Sequence, residues 1–244
     1  MPENNPERVI WFVGAGPGDP ELITVRGKRL LETADVLVYA GSLVNPALVT
    51  TSPAPEKVDS WGMKLDDIVA LMADRFRNGK RVVRLHSGDP ALYGSITEQI
   101  AELEKAGIAI RVVPGVSSVF AAAAALGTEF TPKGVSDTLI ITRPAGETLE
   151  RDSVAELSQV PATMAFFLGS GHFGEITGKL TCPSDTPAAV IYHASWPDQQ
   201  IIRGTVADIA EKARRAGITR SALLIVGNAV LGTASEYARS HLYS

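Results

Sequence analysis

The sequence predicts an α/β protein made of two α/β domains. In its first half, short strand-like segments alternate with amphipathic segments, a pattern typical of a mostly parallel sheet covered by helices. Three of the apolar segments in that half run directly into loops that contain glycine. After residues 114–120 the pattern changes, because strand-like segments are then separated by loops rich in proline, glycine and serine. We therefore expect an N-terminal domain over residues 1–116 and a C-terminal domain over residues 117–244.

The first domain is predicted to contain five strands with helices between them. The strands are expected at residues 9–13, Val36–Tyr39, 57–59, 81–85 and 109–113. A helix-like segment covers residues 21–33, and two further helices are expected at 64–78 and 95–106. In segment 64–78, apolar residues recur at three- and four-residue steps, which marks one buried helix face.

The second domain is predicted to begin with an alanine-rich helix, Ser118–Leu126. Its strands are expected at residues 138–142, 163–168, 188–192, 201–204 and Ala222–Val226. One more helix is expected at residues 206–216. We expect the segment after Gly232 to be irregular or only partly helical.

Composition limits the function classes that this chain can belong to. Its 244 residues are 45% hydrophobic and 20% charged, which suits a soluble globular protein. No apolar run approaches the ~18–20 residues that a membrane span needs, and the N-terminus does not resemble a signal peptide. The net charge of −4 argues against nucleic-acid binding, and the single cysteine excludes an internal disulfide or a cysteine zinc cluster. We expect a cytoplasmic protein without a membrane or nucleic-acid partner.

The most informative segment is residues 11–20 (WFVGAGPGDP), where an apolar run enters a loop with three glycines. A strand that ends in such a loop and leads into a helix brings bare backbone close to a ligand. The spacing is GxGxG rather than GxGxxG, and Pro17 removes one N–H donor. Ala40 and Gly41 follow the second strand, where an NAD site carries an acidic residue. The segment indicates a ligand loop, with an NAD-dependent oxidoreductase as a distant alternative.

Two more loops of this kind follow predicted strands, at residues 85–95 (LHSGDPALYGS) and 113–118 (VPGVSS). Taken alone, residues 87–90 are as typical of a β-turn as of a ligand site. Open α/β sheets bind ligands at the carboxyl ends of their strands, and three such loops in one domain favour a binding site.

Six motifs, in order along the chain, resemble the tetrapyrrole methylase family. They are residues 14–19 (GAGPGD), 87–94 (SGDPALYG), 114–118 (PGVSS), 166–169 (FFLG), 188–194 (AAVIYHA) and 222–227 (ALLIVG). The resemblance implies the tetrapyrrole methylase fold (class III methyltransferase), with S-adenosylmethionine bound in the cleft between two α/β domains. It also implies S-adenosylhomocysteine as product and a homodimer.

Residues 39–44 (YAGSLV) and 84–86 (RLH) resemble one branch of that family. This branch methylates precorrin-4 at C11 during cobalamin biosynthesis and gives precorrin-5. Uroporphyrinogen methylases carry an Asp-Arg pair where this chain has Ala40 and Gly41, so their acid–base assignment does not transfer. The alternatives are cobalt-precorrin-4 as substrate, another methylation position, or a tetrapyrrole carrier without activity.

The resemblance also implies which residues contact the cofactor: Pro17, Ser87, Gly88, Asp89, Leu92, Ser117, Ser118, Leu168 and Ala194. Gly88 would let backbone groups approach the cofactor. Asp89 would accept from its α-ammonium group or a ribose hydroxyl. The alternative roles are a turn residue for Asp89 and a helix N-cap for Ser118.

Methyl transfer needs neither a metal nor a nucleophilic cysteine, and no pair of histidines has metal-ligand spacing. Acid–base candidates are His86, Tyr93 and Lys64, although packing at a strand end is the favoured interpretation of His86. His172 lies in a flexible-looking loop with no evident partner. Basic residues must pair with the acetate and propionate arms of a tetrapyrrole. The candidates are Arg26, Lys64, Arg84, Arg111, Lys133, Arg143 and Arg203.

Overall fold

The computed structural model describes residues 8–146 and 149–234. The chain divides into two compact units, unit 1 (Met1–Ser117) and unit 2 (Ser118–Ser244), and each contains one five-stranded sheet. The α/β prediction is confirmed. The prediction for the segment after Gly232 falls mostly on residues 235–244, which lie outside the described residues, while residues 233–234 end a 3-10 segment. Within the described residues, no helix is both long enough and apolar enough to cross a bilayer.

The sheet of unit 1 is entirely parallel and has the strand order β3-β2-β4-β1-β5. Its strands are β1 (Ile10–Gly14), β2 (Val36–Tyr39), β3 (Glu56–Asp59), β4 (Val82–His86) and β5 (Ile110–Val113). The predicted strands lie within one residue of these bounds, because each is a short apolar or alternating run that ends at a turn.

The helices of unit 1 are α1 (Val25–Thr33), α2 (Pro46–Thr51), α3 (Leu65–Arg77) and α4 (Ile96–Lys105). The predicted helix over 21–33 is in fact a 3-10 turn, Pro20–Leu22, followed by α1. The chain is extended at Thr24, whose hydroxyl oxygen accepts from the N–H of Gly27 and caps α1. Helix α2 was not predicted, although Asn45 and Pro46 form a cap and first turn.

Side chains alternate across the sheet and supply two apolar layers. Phe12 and Val82 face the layer that contains Met72 of α3 and Leu103 of α4. Val13 and Leu85 face the opposite layer, which contains Leu31 of α1 and Leu48 of α2. Helices therefore cover both faces of the sheet, as parallel strands require.

Unit 2 has a mixed sheet with the strand order β6-β7-β10-β8-β9. Its strands are β6 (Leu139–Thr142), β7 (Thr163–Phe166), β8 (Pro187–Tyr192), β9 (Gln200–Thr205) and β10 (Ala222–Val226). β6 and β7 are parallel, whereas β10 runs antiparallel to both of its neighbours and β8 pairs antiparallel with β9.

The helices of unit 2 are α5 (Ser118–Leu126), α6 (Val154–Leu157), α7 (Phe173–Lys179) and α8 (Ile209–Arg215). Helix α5 packs on one face of the sheet, and α7 and α8 pack on the other. Helix α8 is shorter than the predicted 206–216, because the Asp208 carboxylate accepts from the N–H of Thr205 and closes a turn before it. A 3-10 segment, Asn228–Ala234, follows β10.

The prediction of a flexible loop around His172 is wrong. Helix α7 begins directly after it because Phe173 and Ile176 bury their side chains in the core. The His172 Nδ1 atom lies 3.0 Å from Oε1 of Glu175, so this histidine has a partner one helical turn away.

Candidate active site

Strands β1 and β4 are neighbours at the point where the sheet of unit 1 changes its winding direction. The chain leaves β1 toward α1 on one face and leaves β4 toward α4 on the other. Loops that diverge in this way leave a crevice at the carboxyl ends of the two strands, which is where open α/β sheets bind ligands. The glycine loops at residues 14–19 and 87–94 both begin at this crevice.

The first two loops are joined by their backbones. The N–H of Gly16 donates to the carbonyl of Gly88 (3.2 Å), and the N–H of Gly88 donates to the carbonyl of Gly16 (2.8 Å). Both residues have positive φ angles, +81° and +58°, which glycine adopts without steric cost.

The third loop, at residues 114–117, packs against the same junction. A Cβ atom on Gly115 would lie 2.1 Å from the Gly88 carbonyl oxygen and 2.8 Å from the Gly14 Cα atom. No side chain fits between these backbones, so Gly14, Gly88 and Gly115 form a glycine cradle. The cradle holds the three loops together, backbone against backbone, at the edge where the predicted cofactor contacts of unit 1 lie.

Asp89 connects the second and third loops. One carboxylate oxygen accepts from the N–H of Ala91 (2.8 Å), and the other accepts from the N–H of Gly115 (2.9 Å). The first bond is the turn contact considered as an alternative role for this residue. Each carboxylate oxygen can accept a second hydrogen bond, so Asp89 can hold the cradle and still accept from a ligand.

The other residues of unit 1 predicted to contact the cofactor lie on the same three loops. Pro17, Ser87 and Leu92 are half-buried, whereas Ser117 is buried directly before α5. The structure thus brings the six predicted residues of unit 1 to one edge of one sheet.

The remaining predicted contacts lie in unit 2. Ser118 is the first residue of α5, and Leu168 and Ala194 follow β7 and β8. Because β7 and β8 both run antiparallel to β10, their carboxyl ends lie at the same edge of the sheet. Leu168 and Ala194 therefore lie at the same edge of the sheet of unit 2.

This edge of unit 2 carries unusual backbone conformations. Leu168, His193, Ser195 and Ser221 all have positive φ angles, and the N–H of His193 donates to the carbonyl of Ser221 (3.1 Å). Such conformations in residues other than glycine cost about 1–3 kcal/mol each and cluster at functional sites. Leu168 is 60% exposed, whereas Ala194 is buried.

His86 is packed inside unit 1. Its ring stacks on Phe12 with a centroid distance of 5.5 Å, and its Nε2 atom is buried without a hydrogen-bond partner among the described residues. Burial, assisted by the charge of Arg84, lowers the pKa of His86 to about 3. These contacts support the packing interpretation of this residue.

The other two acid–base candidates are accessible. Tyr93 is exposed at a φ of +55° in the second loop, and Lys64 is exposed immediately before α3.

Two of the predicted substrate-binding cations donate hydrogen bonds within their own unit. Arg84 is buried and donates to the Ser60 hydroxyl (2.8 Å) and to Oε1 of Gln99 (3.1 Å). Arg203 donates to the carbonyls of Leu126 and Val230 within unit 2. Including Arg84 among the cations for tetrapyrrole arms was wrong, because its buried guanidinium group already holds elements of the fold together. Arg203 is exposed and stays a candidate. Arg26 lies over the ring of Trp11.

Sequence reasoning missed Asn45, which ties the loop after β2 to the first glycine loop. Its Nδ2 atom donates to the carbonyl of Gly18 (2.8 Å), while its Oδ1 atom accepts from the N–H of Ala47 and caps α2. The Asn-Pro pair marks a helix start, but the bond to Gly18 joins residues too far apart in sequence to be predicted from either segment. No group of three or more His, Cys, Asp or Glu side chains that could hold a metal occurs within residues 8–146 and 149–234.

The chain matches the family model described as Tetrapyrrole (Corrin/Porphyrin) Methylases over residues 9–210. It is 47% identical to a cobalt-precorrin-4 C(11)-methyltransferase of Methanocaldococcus jannaschii, over 99% of this chain and 94% of that protein. It is 45% identical to a precorrin-4 C(11)-methyltransferase of Pseudomonas aeruginosa, over 96% of this chain and 94% of that protein.

Solved structures agree with these relatives. A cobalt precorrin-4 methyltransferase, described as a cobalamin biosynthetic enzyme, superposes with a TM-score of 0.88 at 43% identity, over 91% of this chain and 96% of that chain. The uroporphyrin-III C-methyltransferase of Thermus thermophilus, in complex with S-adenosyl homocysteine, gives a TM-score of 0.80 at 29% identity, over 91% and 98%. The family match covers most of the chain, and the chain therefore belongs to the tetrapyrrole (corrin/porphyrin) methylases.

Proposed function

We propose that this chain transfers the methyl group of S-adenosylmethionine to C11 of precorrin-4 and so produces precorrin-5 in cobalamin biosynthesis. The observation that carries the proposal is the near full-length similarity to relatives named for this reaction. The glycine cradle supports it, because it brings together the three loops that carry the proposed cofactor contacts of unit 1.

The reaction is a displacement at the methyl carbon. A π-electron pair of the macrocycle forms the bond between C11 and the methyl group as the bond from sulfur to that methyl group breaks, and the electron pair of the broken bond stays on the sulfur of S-adenosylhomocysteine. The macrocycle loses a proton to solvent, which balances the positive charge that it receives with the methyl group. Correct alignment of two reactants in a dry site contributes on the order of 7–11 kcal/mol. The role proposed for the protein is therefore to bind, orient and exclude water.

The residues proposed to contact the cofactor occur in each unit. In unit 1, Pro17, Ser87, Gly88, Asp89, Leu92 and Ser117 would contact the cofactor, with Asp89 accepting from its polar groups. In unit 2, Ser118 would donate, and Leu168 and Ala194 would form an apolar wall. The exposed Leu168 side chain, held at positive φ, fits that role.

The relatives include enzymes named for precorrin-4 and for cobalt-precorrin-4, at similar identity to this chain. We choose precorrin-4 as the substrate and cobalt-precorrin-4 as the alternative to be tested beside it. We further propose that the enzyme is cytoplasmic and forms a homodimer. Light scattering during size-exclusion chromatography tests the dimer, and a monomeric mass would contradict it.

The decisive experiment incubates the protein with carbon-13-methyl S-adenosylmethionine and either precorrin-4 or cobalt-precorrin-4. We expect one labelled methyl group at C11 of precorrin-4, detected by mass spectrometry and NMR. Label only in the cobalt complex would assign the alternative substrate, and label at another carbon would contradict the position. Binding of S-adenosylhomocysteine without transfer to either substrate would indicate a carrier, and binding of NADH instead would indicate an oxidoreductase.

A further inference from the structure

Two loops beside the glycine cradle leave the sheet of unit 1 side by side. They are residues 40–45, after β2, and residues 60–64, after β3, here called the loop pair. Tyr39 and Asp59 are register partners at the ends of the two parallel strands, so both loops begin at the same edge as the cradle. Asn45 also bonds the first of them to Gly18 of the cradle loop.

The carboxylate of Asp59 holds the loop pair together. Its Oδ1 atom accepts from the N–H of Gly41 (2.8 Å) and from the N–H of Trp61 (2.9 Å). A Cβ atom at Gly41 would lie 2.2 Å from the Asp59 Oδ2 atom. Gly41 does not have a positive φ angle, so space rather than conformation requires glycine here.

A buried cation, Arg84, holds the start of the second loop of the pair to the end of β2 through Ser60. Arg84 donates to the Ser60 hydroxyl, which in turn donates to the carbonyl of Tyr39 (3.0 Å). Burial lowers the pKa of Arg84 to about 10, against the opposing effect of the Asp59 charge, so the guanidinium stays protonated at neutral pH. The loop pair is therefore fixed to the sheet at both strand ends.

The loop pair presents apolar and basic side chains to solvent. Leu43 is 55% exposed and Trp61 is 73% exposed, a combination that often marks a binding surface. Lys64 is also exposed, and its side chain makes no capping hydrogen bond at the start of α3. Apolar groups beside a cation complement a large macrocycle that carries carboxylate arms.

We propose that Asp59 is a positioning residue for the tetrapyrrole, because it fixes the loop pair so that Leu43 and Trp61 contact the macrocycle and Lys64 pairs with a carboxylate arm. The inference rests on the proposed function and adds a subsite to it. It also assigns a role to Gly41, which admits the Asp59 carboxylate beside the chain after β2.

The test measures the binding of two ligands, precorrin-4 and S-adenosylhomocysteine, in separate assays. Precorrin-4 binding is followed anaerobically by absorbance with S-adenosylhomocysteine present, so that no turnover occurs, and S-adenosylhomocysteine binding is followed by calorimetry. The variants are Asp59→Ala, Asp59→Asn, Gly41→Ala and the double variant Gly41→Ala/Asp59→Ala. Gly178→Ala, a glycine in α7 with nothing within 4 Å of its added Cβ, is the matched control.

We expect Asp59→Ala and Gly41→Ala each to weaken precorrin-4 binding about tenfold, as the loss of two hydrogen bonds predicts. S-adenosylhomocysteine affinity should stay within about twofold, since the cradle is unchanged. Asp59→Asn keeps an oxygen acceptor and should retain most of the precorrin-4 affinity. The double variant should bind no worse than Asp59→Ala, because the atoms that an alanine at 41 would contact are gone.

Equal loss of both ligands would show that Asp59 only supports the fold and would overturn the proposal. So would unchanged precorrin-4 binding in Asp59→Ala, or independent losses that multiply in the double variant. A wild-type protein that binds precorrin-4 but methylates a carbon other than C11 would contradict the proposed function while leaving the binding comparison valid.

Discussion

Units 1 and 2 build their loop edges in different ways. In unit 1 the three loops meet through Gly14, Gly88 and Gly115, whose backbones are in direct contact. In unit 2 the loop edge contains Leu168, His193 and other non-glycine residues at positive φ, a conformation that Tyr93 and Ser95 also adopt in the second loop of unit 1. The junction of the unit 1 loops therefore depends on contacts between glycine backbones, whereas the loop edge of unit 2 depends on side chains held on a strained backbone. A substitution should affect folding and binding differently in the two units.

The largest effect is expected for Gly115→Ala in unit 1. The new Cβ would overlap the Gly88 carbonyl, and because both are backbone positions the loops must separate. We expect a loss of about 1–3 kcal/mol in the free energy of unfolding. Calorimetry should also show a decrease of about a hundredfold in S-adenosylhomocysteine affinity.

Gly178→Ala in unit 2 is the control for that change, since its added Cβ meets no atom within 4 Å. This control should bind S-adenosylhomocysteine as the wild type does. If Gly115→Ala bound S-adenosylhomocysteine as tightly as the wild type, the glycine cradle would not belong to the cofactor site. The proposed difference between the two units would then be contradicted.

A smaller effect is expected for Leu168→Gly in unit 2. Glycine relieves the positive φ angle but adds about 0.5–1 kcal/mol of chain entropy to the unfolded state, so the two contributions nearly cancel. The free energy of unfolding, measured with urea, should therefore change by less than about 1 kcal/mol. Loss of the exposed apolar side chain should still weaken S-adenosylhomocysteine binding about fivefold to tenfold. Unchanged affinity would exclude Leu168 from the cofactor wall.

The effect that is smallest near neutral pH concerns acid sensitivity and belongs to unit 1. Because the pKa of His86 is about 3 in the folded protein and near 6.5 when unfolded, the unfolded chain binds more protons between these values. The neutral imidazole thus stabilises the fold fully above about pH 6.5, and this stability is lost as the pH falls toward 3. As the pH falls, the free energy of unfolding should therefore decrease less steeply in His86→Leu than in the wild type. The difference between the two slopes should be at most about 1.4 kcal/mol per pH unit.

Urea unfolding of both proteins at several pH values between 7.5 and 4 measures this difference. Parallel slopes for the wild type and His86→Leu would mean that His86 titrates normally in the folded protein. That result would contradict its packing against Phe12.

Much of the fold followed from local patterns in the sequence. Every strand of unit 1 was predicted because each apolar run ends at glycine, proline or a polar turn. Helix α7 was missed because Gly174 and Gly178 lower its helix propensity, and only the burial of Phe173 and Ile176 stabilises it. Tertiary packing, which no local pattern contains, decided this segment.

The candidate site shows the same difference between local sequence patterns and long-range contacts. The glycine loops were found because their composition is unusual over a few residues. The bonds that connect them were not found, since Asp89 reaches Gly115 and Asn45 reaches Gly18 across 26 and 27 residues. For the same reason Arg84 was predicted to bind a ligand when it supports the loop pair.

The parallel sheet of unit 1 also constrains how the chain can fold during synthesis. β1 is the first strand made, yet it lies between β4 and β5, and Trp11 pairs with Val83 and Arg111. During synthesis, β1 therefore has neither of its partner strands until β4 has been made. In unit 2, β8 and β9 pair as a hairpin in which Ile191 meets Ile201. Because that hairpin joins neighbouring segments of the chain, we expect it to form with less delay during synthesis than the parallel sheet of unit 1.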